Sequence, residues 1–391
     1  MSHGTPTSAG NPRSEPRADP ARGTPLAHAS ETIRAGGLVI FPTETLNGAG
    51  VRADRPDPVQ RLAHLIDPAP EPRPLGATLH LPDVGSLLRI GEAMAGDGDG
   101  FMPGHRRLID SLLPGPFRLL IEMTPQQLSR VRATLGLVAG AAEVGSALAV
   151  RIPRHPEAAA FLADARVPIV AVSARALGTR TDESLALTWG APGLARIGSA
   201  DTEDARRLPS TTVTLTIAGG VIVSEDAATG ARDVARAMQR RVLFVCTGNT
   251  CRSPMAEAIA RRIADTADPS PIRVIVGSAG TSAGPGPATR EAVEAAHIMG
   301  LDLSAHRSRP LTRQLIDDAD EIYTMTASHA RAVVAIAPAA AHKVRVLDPD
   351  GRDVPDPIGS PLDEYRRVAS EIERMIQRRL AEPRTPRSDD E

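Results

Sequence analysis

The feature that most constrains this chain is a short apolar strand followed directly by a glycine-containing loop and the start of a helix. Val242 to Val245 are four consecutive apolar residues, which fit a central parallel strand buried on both faces. Pro254 suits the first turn of a helix, and a helical pattern runs from Met255 to Ile263. Together they predict the carboxyl edge of a parallel sheet, where open α/β sheets bind ligands.

Strands and helices alternate on both sides of this segment, which indicates an α/β fold class. The first pattern opens with a helix ending at Gly36 and Gly37, continues with a strand at Leu38 to Phe41, and extends to Ile222. In the second pattern we predict strands at Arg273 to Val276, Glu321 to Met325 and Val344 to Leu347, and a terminal amphipathic helix at Leu362 to Leu380.

The length of 391 residues exceeds what one hydrophobic core usually supports, so we expect two domains. Residues 1–28 are rich in Pro, Ser, Gly and Arg and predict a disordered tail. We assign a first domain to 29–225, a linker to 226–240 and a second domain to 241–380. Residues 381–391 have the composition of a second tail.

The net charge of -2 gives no global attraction to nucleic acid or membrane. No apolar run approaches the roughly 20 residues that cross a bilayer, so we expect no membrane association. The two cysteines, five positions apart, suit a reducing compartment and predict a cytoplasmic protein. A structural zinc site usually has four cysteine or histidine ligands, and no histidine pair lies near these two cysteines. We therefore predict no metal site. Nothing in the sequence indicates an oligomeric state.

The loop after the apolar strand has the residue types that bind a phosphate dianion. Backbone N–H groups of such a loop point inward, and the helix N-terminus adds partial positive charge. Arg252 offers a planar, bidentate donor, and these donors favour Cys246 as a thiolate nucleophile. Ser253 is placed to hydrogen-bond that thiolate. A buried structural cysteine is the alternative interpretation. The predicted phosphate-binding and supporting residues are Thr247, Gly248, Asn249, Thr250, Cys251 and Ser253.

Phosphoryl transfer from a thiolate also needs an acid that protonates the leaving group. Asp356 is followed by Pro357, which fixes the backbone after the acid, and by Gly359, which lets the loop turn. A solvent-exposed turn is the alternative interpretation. Asp348 with Pro349 is a second such pair, but it closes a strand.

Residues 241 to 380 resemble the low-molecular-weight protein tyrosine phosphatase family. The resemblance rests on Cys246 to Ser253, Ser278 to Thr281, His306 to Arg309 and Asp356. It implies a flavodoxin-like parallel sheet flanked by helices, a phosphocysteine intermediate, a phosphorylated protein substrate and no cofactor. Residue by residue it implies Cys246 as nucleophile, Arg252 as phosphate binder, Asn249 and Ser253 as loop supports, and Asp356 as acid and then base.

Two positions bear on the substrate. Tyrosine-specific members usually have aromatic residues after the Asp-Pro, where this chain has Ile358 and Gly359. The protein arginine phosphatase branch has threonine at the fourth residue after the nucleophile, and Thr250 matches it. The resemblance therefore favours protein phosphoarginine, with phosphotyrosine or a small phosphorylated compound as alternatives. Cys251 has two interpretations, a reversible disulfide partner of Cys246 or a small residue that packs the loop.

Residues 29 to about 225 resemble the YrdC-type threonylcarbamoyl-AMP synthases of tRNA modification. The resemblance rests on Leu38 to Gly50, Leu113 to Pro116, Ala149 to Pro156, Val172 to Arg175 and Pro209 to Val213. It implies a twisted, concave α/β sheet that binds ATP with Mg²⁺, threonine and bicarbonate. The implied pocket residues are Thr43, Thr45, Arg73, Ser173, Ser210 and Thr211.

Three departures in that pocket favour lost or altered synthase activity. The lysine of the family's phosphate-binding stretch has no counterpart in Glu71 to Pro74, and Lys343 in the other domain is the only lysine of the chain. The family's Ser-x-Asn is Ser173 to Arg175 here, and its tyrosine is Asn47. We predict a nucleotide- or RNA-binding domain fused to a phosphatase. The alternatives are a retained threonylcarbamoyl-AMP synthase and a chain that binds nucleotide or RNA without catalysis.

Overall fold

The computed structural model describes residues 24–68, 75–96, 100–198, 208–224, 230–266 and 272–381. These residues form two compact units. The described residues of the first unit are taken from 24–100, 113–214 and 224, and those of the second from 101–112, 215–223 and 230–381.

The helices are α1 (Pro25–Ala35), α2 (Pro56–Ile66), α3 (Val84–Ala95), α4 (Pro103–Leu112), α5 (Pro125–Leu135), α6 (Pro156–Ala165), α7 (Asp182–Trp189), α8 (Ala231–Ala237), α9 (Arg252–Thr266), α10 (Arg290–Ile298), α11 (Arg313–Asp318), α12 (Ala327–Ile336) and α13 (Leu362–Ala381). The strands are β1 (Leu38–Phe41), β2 (Gly48–Arg52), β3 (Thr78–His80), β4 (Phe117–Glu122), β5 (Glu143–Val144), β6 (Ala147–Arg151), β7 (Ile169–Ser173), β8 (Leu194–Arg196), β9 (Thr211–Leu215), β10 (Val221–Val223), β11 (Gln239–Cys246), β12 (Arg273–Gly280), β13 (Glu321–Thr324) and β14 (Val344–Val346). The alternation confirms the predicted α/β class.

Most strands of the first unit lie in one mixed sheet, in the order β9-β4-β6-β3-β7-β2-β1-β8, with β5 beside β6. β1 pairs antiparallel with β2 and parallel with β8. The core beneath β1 contains Phe41 and Phe161, whose ring centroids lie 5.4 Å apart. The sheet therefore turns a buried apolar face toward α1 and α6, because Ile33 and Phe161 of these helices belong to the same cluster.

The second unit contains a parallel four-stranded sheet in the order β12-β11-β13-β14. Side chains of β11 alternate between its two faces, as a pleated strand requires. Val242, Phe244 and Cys246 belong to a core shared with α9, α10 and α13. Leu243 and Val245 belong to a core shared with α11 and α12. This is the predicted flavodoxin-like sheet flanked by helices, and its strand order reverses beside β11, where such sheets bind ligands.

The elements predicted around the loop are confirmed within a few residues. β11 begins at Gln239, three residues earlier than the apolar run, and β12 ends at Gly280, four residues later than predicted. Both extensions follow from the pairing of β11 with β12, which runs in register from Gln239 opposite Arg273 to Cys246 opposite Gly280.

Two of the predicted boundaries need correction. Residues 25–28 are not part of a disordered tail, because α1 begins at Pro25 and the side chain of Thr24 accepts a hydrogen bond from Ala27 N–H. The segment from 226 to 240 is not a plain linker, because it contains α8 and the start of β11. Composition does not reveal either helix. α1 begins at the cap of Thr24, and α8 buries Val234 and Ala237. Residues 1–23 and 382–391 lie outside the described residues.

Gly280 lets the end of β12 approach the loop that follows β11. A Cβ atom on Gly280 would lie 2.5 Å from the Thr247 carbonyl oxygen and 2.9 Å from the Asn249 nitrogen. Real Cβ atoms do not approach backbone atoms so closely, so an alanine there requires the loop to move. Gly284 offers a matched comparison, because a Cβ atom there meets nothing within 4 Å.

We predict that Gly280→Ala displaces the loop and destabilises the second unit by about 1–3 kcal/mol, the usual effect of overpacking. Hydrogen–deuterium exchange of peptides covering residues 246–253 should become faster, and the unfolding midpoint should fall. Gly284→Ala should leave both unchanged. Equal exchange in the two variants would contradict the close approach.

Candidate active site

Cys246 ends β11 and is 3% exposed. Its sulfur lies 2.9 Å from Ser253 Oγ and accepts a hydrogen bond from Asn249 N–H at 3.2 Å. Ser253 lies in the first turn of α9, so the sulfur lies beside the N-terminal end of that helix. The partial positive charge of a helix N-terminus and the backbone N–H groups there suit the binding of an anion at this position.

Asn249 is the centre of the hydrogen-bond network around the loop. It has a left-handed backbone, with φ of 54°. Its side-chain amide donates to Ser253 Oγ at 2.9 Å and to Ser278 Oγ at 2.8 Å. Ser253 Oγ accepts from this amide and keeps its own proton available for the sulfur of Cys246. Ser278 in turn donates to Glu257 Oε2 at 2.6 Å, so the chain of donors ends on a carboxylate.

A second segment, residues 306–309, holds Asn249 in its left-handed conformation. Arg309 N–H donates to Asn249 Oδ1 at 3.0 Å. The Asn249 carbonyl oxygen accepts from His306 Nε2 and from Ser308 Oγ, each at 2.8 Å. These contacts satisfy the carbonyl and the side-chain oxygen of a fully buried asparagine, whose amide donates to Ser253 and Ser278, as a buried polar network requires. The segment belongs to the family resemblance, but we assigned it no site role from the sequence.

Arg252 and Asp356 meet beside the loop. The guanidinium of Arg252 is buried, donates to the Val354 carbonyl at 3.1 Å and pairs with Asp356 Oδ2. The side chain of Asp356 is 42% exposed and also accepts from Ile358 N–H at 3.3 Å. A buried guanidinium and a carboxyl group that reaches solvent are thus brought to one place. Asp356 is therefore accessible to a leaving group or a water molecule.

The other Asp-Pro pair has a different environment. Asp348 is 2% exposed, accepts from Asp350 N–H at 2.9 Å and pairs with Arg352 at 2.8 Å. These contacts close the turn after β14. Asp348 therefore has a local structural role. Its burial distinguishes it from Asp356, because Gly351 and Gly359 follow the two aspartates at the same spacing.

Cys251 is oriented toward α13. Its sulfur lies 3.4 Å from Thr289 Oγ1 and 3.6 Å from Tyr365 OH. Burial raises the pKa of Tyr365 to about 12, so its hydroxyl remains protonated at neutral pH. Both cysteines are free thiols in this structure. The contacts of Cys251 fit the packing interpretation, while Thr250 Oγ1 lies 3.6 Å from the same sulfur.

His329 is a residue of this site that sequence reasoning missed. It lies in the first turn of α12 and is 6% exposed, and its Nε2 atom is 2.8 Å from Thr247 Oγ1. Burial, followed by the positive charge of Arg252, lowers its pKa despite the opposing charges of Asp356 and Asp353. The imidazole is therefore neutral at pH 7. A Thr-x-x-His sequence after an apolar strand was the only signal, and it is common in helix N-termini.

In the first unit the structure brings together part of the predicted pocket. Thr43 Oγ1 and Thr45 Oγ1 lie 3.3 Å apart, and Thr45 Oγ1 lies 3.2 Å from Ser210 Oγ. Arg151, which is buried and was not among the predicted residues, donates to Thr45 Oγ1 at 2.7 Å and pairs with Glu44 at 3.0 Å. These side chains form a polar cluster around one guanidinium, whose charge is matched by one carboxylate.

The remaining predicted pocket residues are placed as follows. Thr211 follows Ser210 at the start of β9 and is fully buried, and its hydroxyl has no hydrogen-bond partner in the described part of the chain. Ser173 accepts from Arg175 N–H at 3.2 Å and lies opposite Gly48 in the sheet. Arg73 lies outside the described residues. His80 lies beside Arg151 on the neighbouring strand β3. Burial is the main cause that lowers its pKa to about 3, and the positive charge of Arg151 adds to it.

Among the described residues, no group of three or more His, Cys, Asp or Glu side chains is arranged to hold a metal ion. No helix in the described ranges has both the length and the apolar character needed to cross a membrane.

Comparisons with known proteins match both halves of the chain. Residues 241–385 match the family model described as low molecular weight phosphotyrosine protein phosphatase. A protein-arginine-phosphatase of Bacillus subtilis is 40% identical over 145 residues, which cover 36% of this chain and 93% of that protein. The chain belongs to the low-molecular-weight phosphotyrosine protein phosphatase family. It is therefore a phosphatase, and residues 241–385 are its phosphatase domain.

Further relatives are named either protein-arginine-phosphatases or protein-tyrosine-phosphatases. A protein-arginine-phosphatase of Geobacillus stearothermophilus is 39% identical over 37% of this chain and 96% of its own length. A probable low molecular weight protein-tyrosine-phosphatase, EpsP, of Ralstonia nicotianae is 35% identical over 36% of this chain and 92% of its own length. A solved low molecular weight protein tyrosine phosphatase from T. tengcongensis is 38% identical, covers 36% of this chain and 97% of its own, and has a TM-score of 0.34.

The first half of the chain matches a second family. Residues 31–222 match the Sua5, YciO and YrdC family model, which is described as telomere recombination. The chain is thus a fusion of a Sua5/YrdC domain with a phosphatase domain, as the two resemblances predicted.

Proposed function

We propose that the phosphatase domain hydrolyses phosphorylated proteins through a phosphocysteine intermediate formed on Cys246. One observation carries this proposal, namely the sulfur of Cys246 held between Ser253 Oγ and Asn249 N–H at the N-terminal end of α9. In the first step the thiolate attacks phosphorus, a sulfur–phosphorus bond forms and the bond to the leaving group breaks. Asp356 gives its proton to the leaving atom, and Arg252 holds two phosphate oxygens.

The second step returns the enzyme to its starting state. Asp356, now a carboxylate, takes a proton from a water molecule, whose oxygen attacks the phosphocysteine. Inorganic phosphate forms, the sulfur–phosphorus bond breaks and Cys246 leaves as a thiolate. The hydroxyl of Ser253, 2.9 Å from the sulfur, donates to the departing sulfur, because a thiolate has no proton of its own to give. No cofactor takes part in this sequence.

We propose protein phosphoarginine as the preferred substrate. Two relatives that cover the whole phosphatase domain at about two-fifths identity are named protein-arginine-phosphatases. Thr250 places a small polar side chain in the loop, and Ile358 beside the acid is an exposed aliphatic residue in place of an aromatic one. Phosphotyrosine remains the second candidate, because another relative is named a protein-tyrosine-phosphatase. A small phosphorylated compound is the third. A cytoplasmic location fits a reaction that requires a reduced thiol.

For the Sua5/YrdC domain we propose binding of a nucleotide or RNA without synthesis of threonylcarbamoyl-AMP. The single lysine of the chain, Lys343, lies in the phosphatase domain, so no lysine is available to hold ATP phosphates. Arg151 is already paired with Glu44, which offsets its charge. ATP with Mg²⁺ is the ligand that the family suggests for the cluster of Thr43, Thr45 and Ser210.

The acid role predicts a large difference between the two Asp-Pro pairs. Asp356→Asn should lower kcat by about 10²-fold or more, because general acid catalysis contributes at least that much. Asp348→Asn should lower the unfolding midpoint but retain most of the kcat, since Asp348 closes a turn. Steady-state hydrolysis of p-nitrophenyl phosphate measures both variants. A kcat for Asp356→Asn equal to that for Asp348→Asn would exclude Asp356 as the acid.

Substrate preference is tested by comparing phosphoarginine and phosphotyrosine peptides of the same sequence. We expect a higher kcat/KM on phosphoarginine with wild-type protein, and no hydrolysis of either peptide by Cys246→Ser. Thr250→Ile should reduce the phosphoarginine rate more than the phosphotyrosine rate, because it replaces a hydroxyl with an apolar branch. An unchanged ratio would show that Thr250 does not decide specificity. Activity in Cys246→Ser would refute the phosphocysteine route.

Synthase activity is tested with the whole chain carrying Cys246→Ser, which keeps phosphatase activity out of the assay. We expect no threonine-dependent pyrophosphate release from ATP, threonine and bicarbonate, because the lysine of the family is missing. A reaction without threonine is the control. Release that requires threonine would establish the synthase alternative.

A further inference from the structure

The N-terminal turn of α12 contacts two loops of the active site at once. On one side, His329 Nε2 lies 2.8 Å from the hydroxyl of Thr247, the residue directly after the nucleophile. His329 Nδ1 lies 2.7 Å from Thr326 Oγ1, and Thr326 is the N-cap of the same helix. The imidazole is thereby fixed at both nitrogens, which sets its ring orientation.

On its other side, the same turn holds the loop that carries Asp356. Ala327 N–H donates to Asp353 Oδ1 at 2.7 Å, and Val354 N–H donates to the Met325 carbonyl at 2.8 Å. The Val354 carbonyl in turn accepts from Arg252. A helix N-terminus with unsatisfied N–H groups is well suited to hold an aspartate in this way.

We propose that His329 is a positioning residue for phosphoryl transfer. It orients Thr247 and thereby the first peptide of the phosphate loop, while its helix turn fixes the distance from that loop to the acid loop. This inference rests on the proposed phosphatase mechanism and adds a residue that the family resemblance did not assign.

The geometry explains why such a residue would affect rate more than substrate binding. Donors that stabilise the charge developing on phosphate must be aimed before the reaction begins, since reorganising them during the reaction costs free energy. Thr247 itself is exposed at the surface of the loop, and its carbonyl accepts from Ser282 N–H at 2.9 Å. The bond from His329 restrains the side chain of the same residue.

The charges facing His329 support a neutral donor in this position. Arg252, Asp353 and Asp356 are the charged groups that act on the pKa of the ring. Burial and the cation of Arg252 keep the pKa of His329 below its ordinary value. A protonated imidazole would place a second cation beside Arg252. A neutral amide donor can therefore replace the ring without changing the charge of the site.

The test compares His329→Phe, His329→Gln, Thr247→Val and the double variant His329→Phe/Thr247→Val in the whole chain. We expect His329→Phe to lower kcat for p-nitrophenyl phosphate by about tenfold with little change in KM, since small misplacements reduce rate strongly. His329→Gln should recover most of the rate, because its amide can donate to Thr247. Thr247→Val should lower kcat by about the same factor as His329→Phe. The kcat of the double variant should be no lower than that of the slower single variant.

Controls separate this inference from the proposed function. His342→Phe removes an exposed histidine of the same domain and should leave kcat unchanged. Cys246→Ser tests the mechanism itself, so activity in that variant refutes the mechanism whatever the His329 variants do. The inference is overturned if His329→Phe keeps wild-type kcat, if His329→Gln is as slow as His329→Phe, or if the two single effects multiply. If His329→Phe does not fold, Thr247→Val takes its place in the comparison. A wild-type kcat in Thr247→Val, or a His329→Gln variant as slow as Thr247→Val, then overturns the inference.

Discussion

The left-handed backbone of Asn249 is the constraint on which the active site depends. A non-glycine residue pays about 1–2 kcal/mol to adopt this conformation. The surrounding structure offsets this cost with hydrogen bonds to its carbonyl, its side-chain oxygen and its side-chain amide. In return the turn directs its own N–H and the proton of Ser253 toward Cys246. One strained residue thus determines where the sulfur finds its donors.

This arrangement draws on segments that are distant in sequence. Ser278 comes from the end of β12, residues 306–309 from the segment before α11, and Glu257 from α9. Val354 and Asp356 hold Arg252 from the loop after β14. The site is rigid because each of these polar groups has a partner, and in a buried setting such networks are stronger than isolated bonds. Asp356 keeps 42% of its side chain exposed, so its carboxyl group is open to water.

For the Sua5/YrdC domain, the family match concerns the fold, and the activity depends on individual side chains. Its mixed sheet and its cluster of Thr43, Thr45, Ser210 and Arg151 follow from patterns that the family match also detects. The synthase reaction of the family depends on a lysine that holds the ATP phosphates. The single lysine of this chain, Lys343, lies in the phosphatase domain. The function of this domain must therefore be argued from its charged side chains, because the fold alone does not specify an activity.

The sequence by itself determined the α/β class, most elements of the phosphatase domain, and the loop with its cysteine and arginine. It could do so because strand, loop and helix are contiguous, so their relation follows from local geometry. Only the tertiary structure decided that Asp356 pairs with Arg252, that Cys251 is oriented toward Tyr365, and that His329 reaches Thr247. These contacts depend on strand order and helix packing, which bring residues about 80 or more positions apart within hydrogen-bond distance and leave no periodic trace in the sequence.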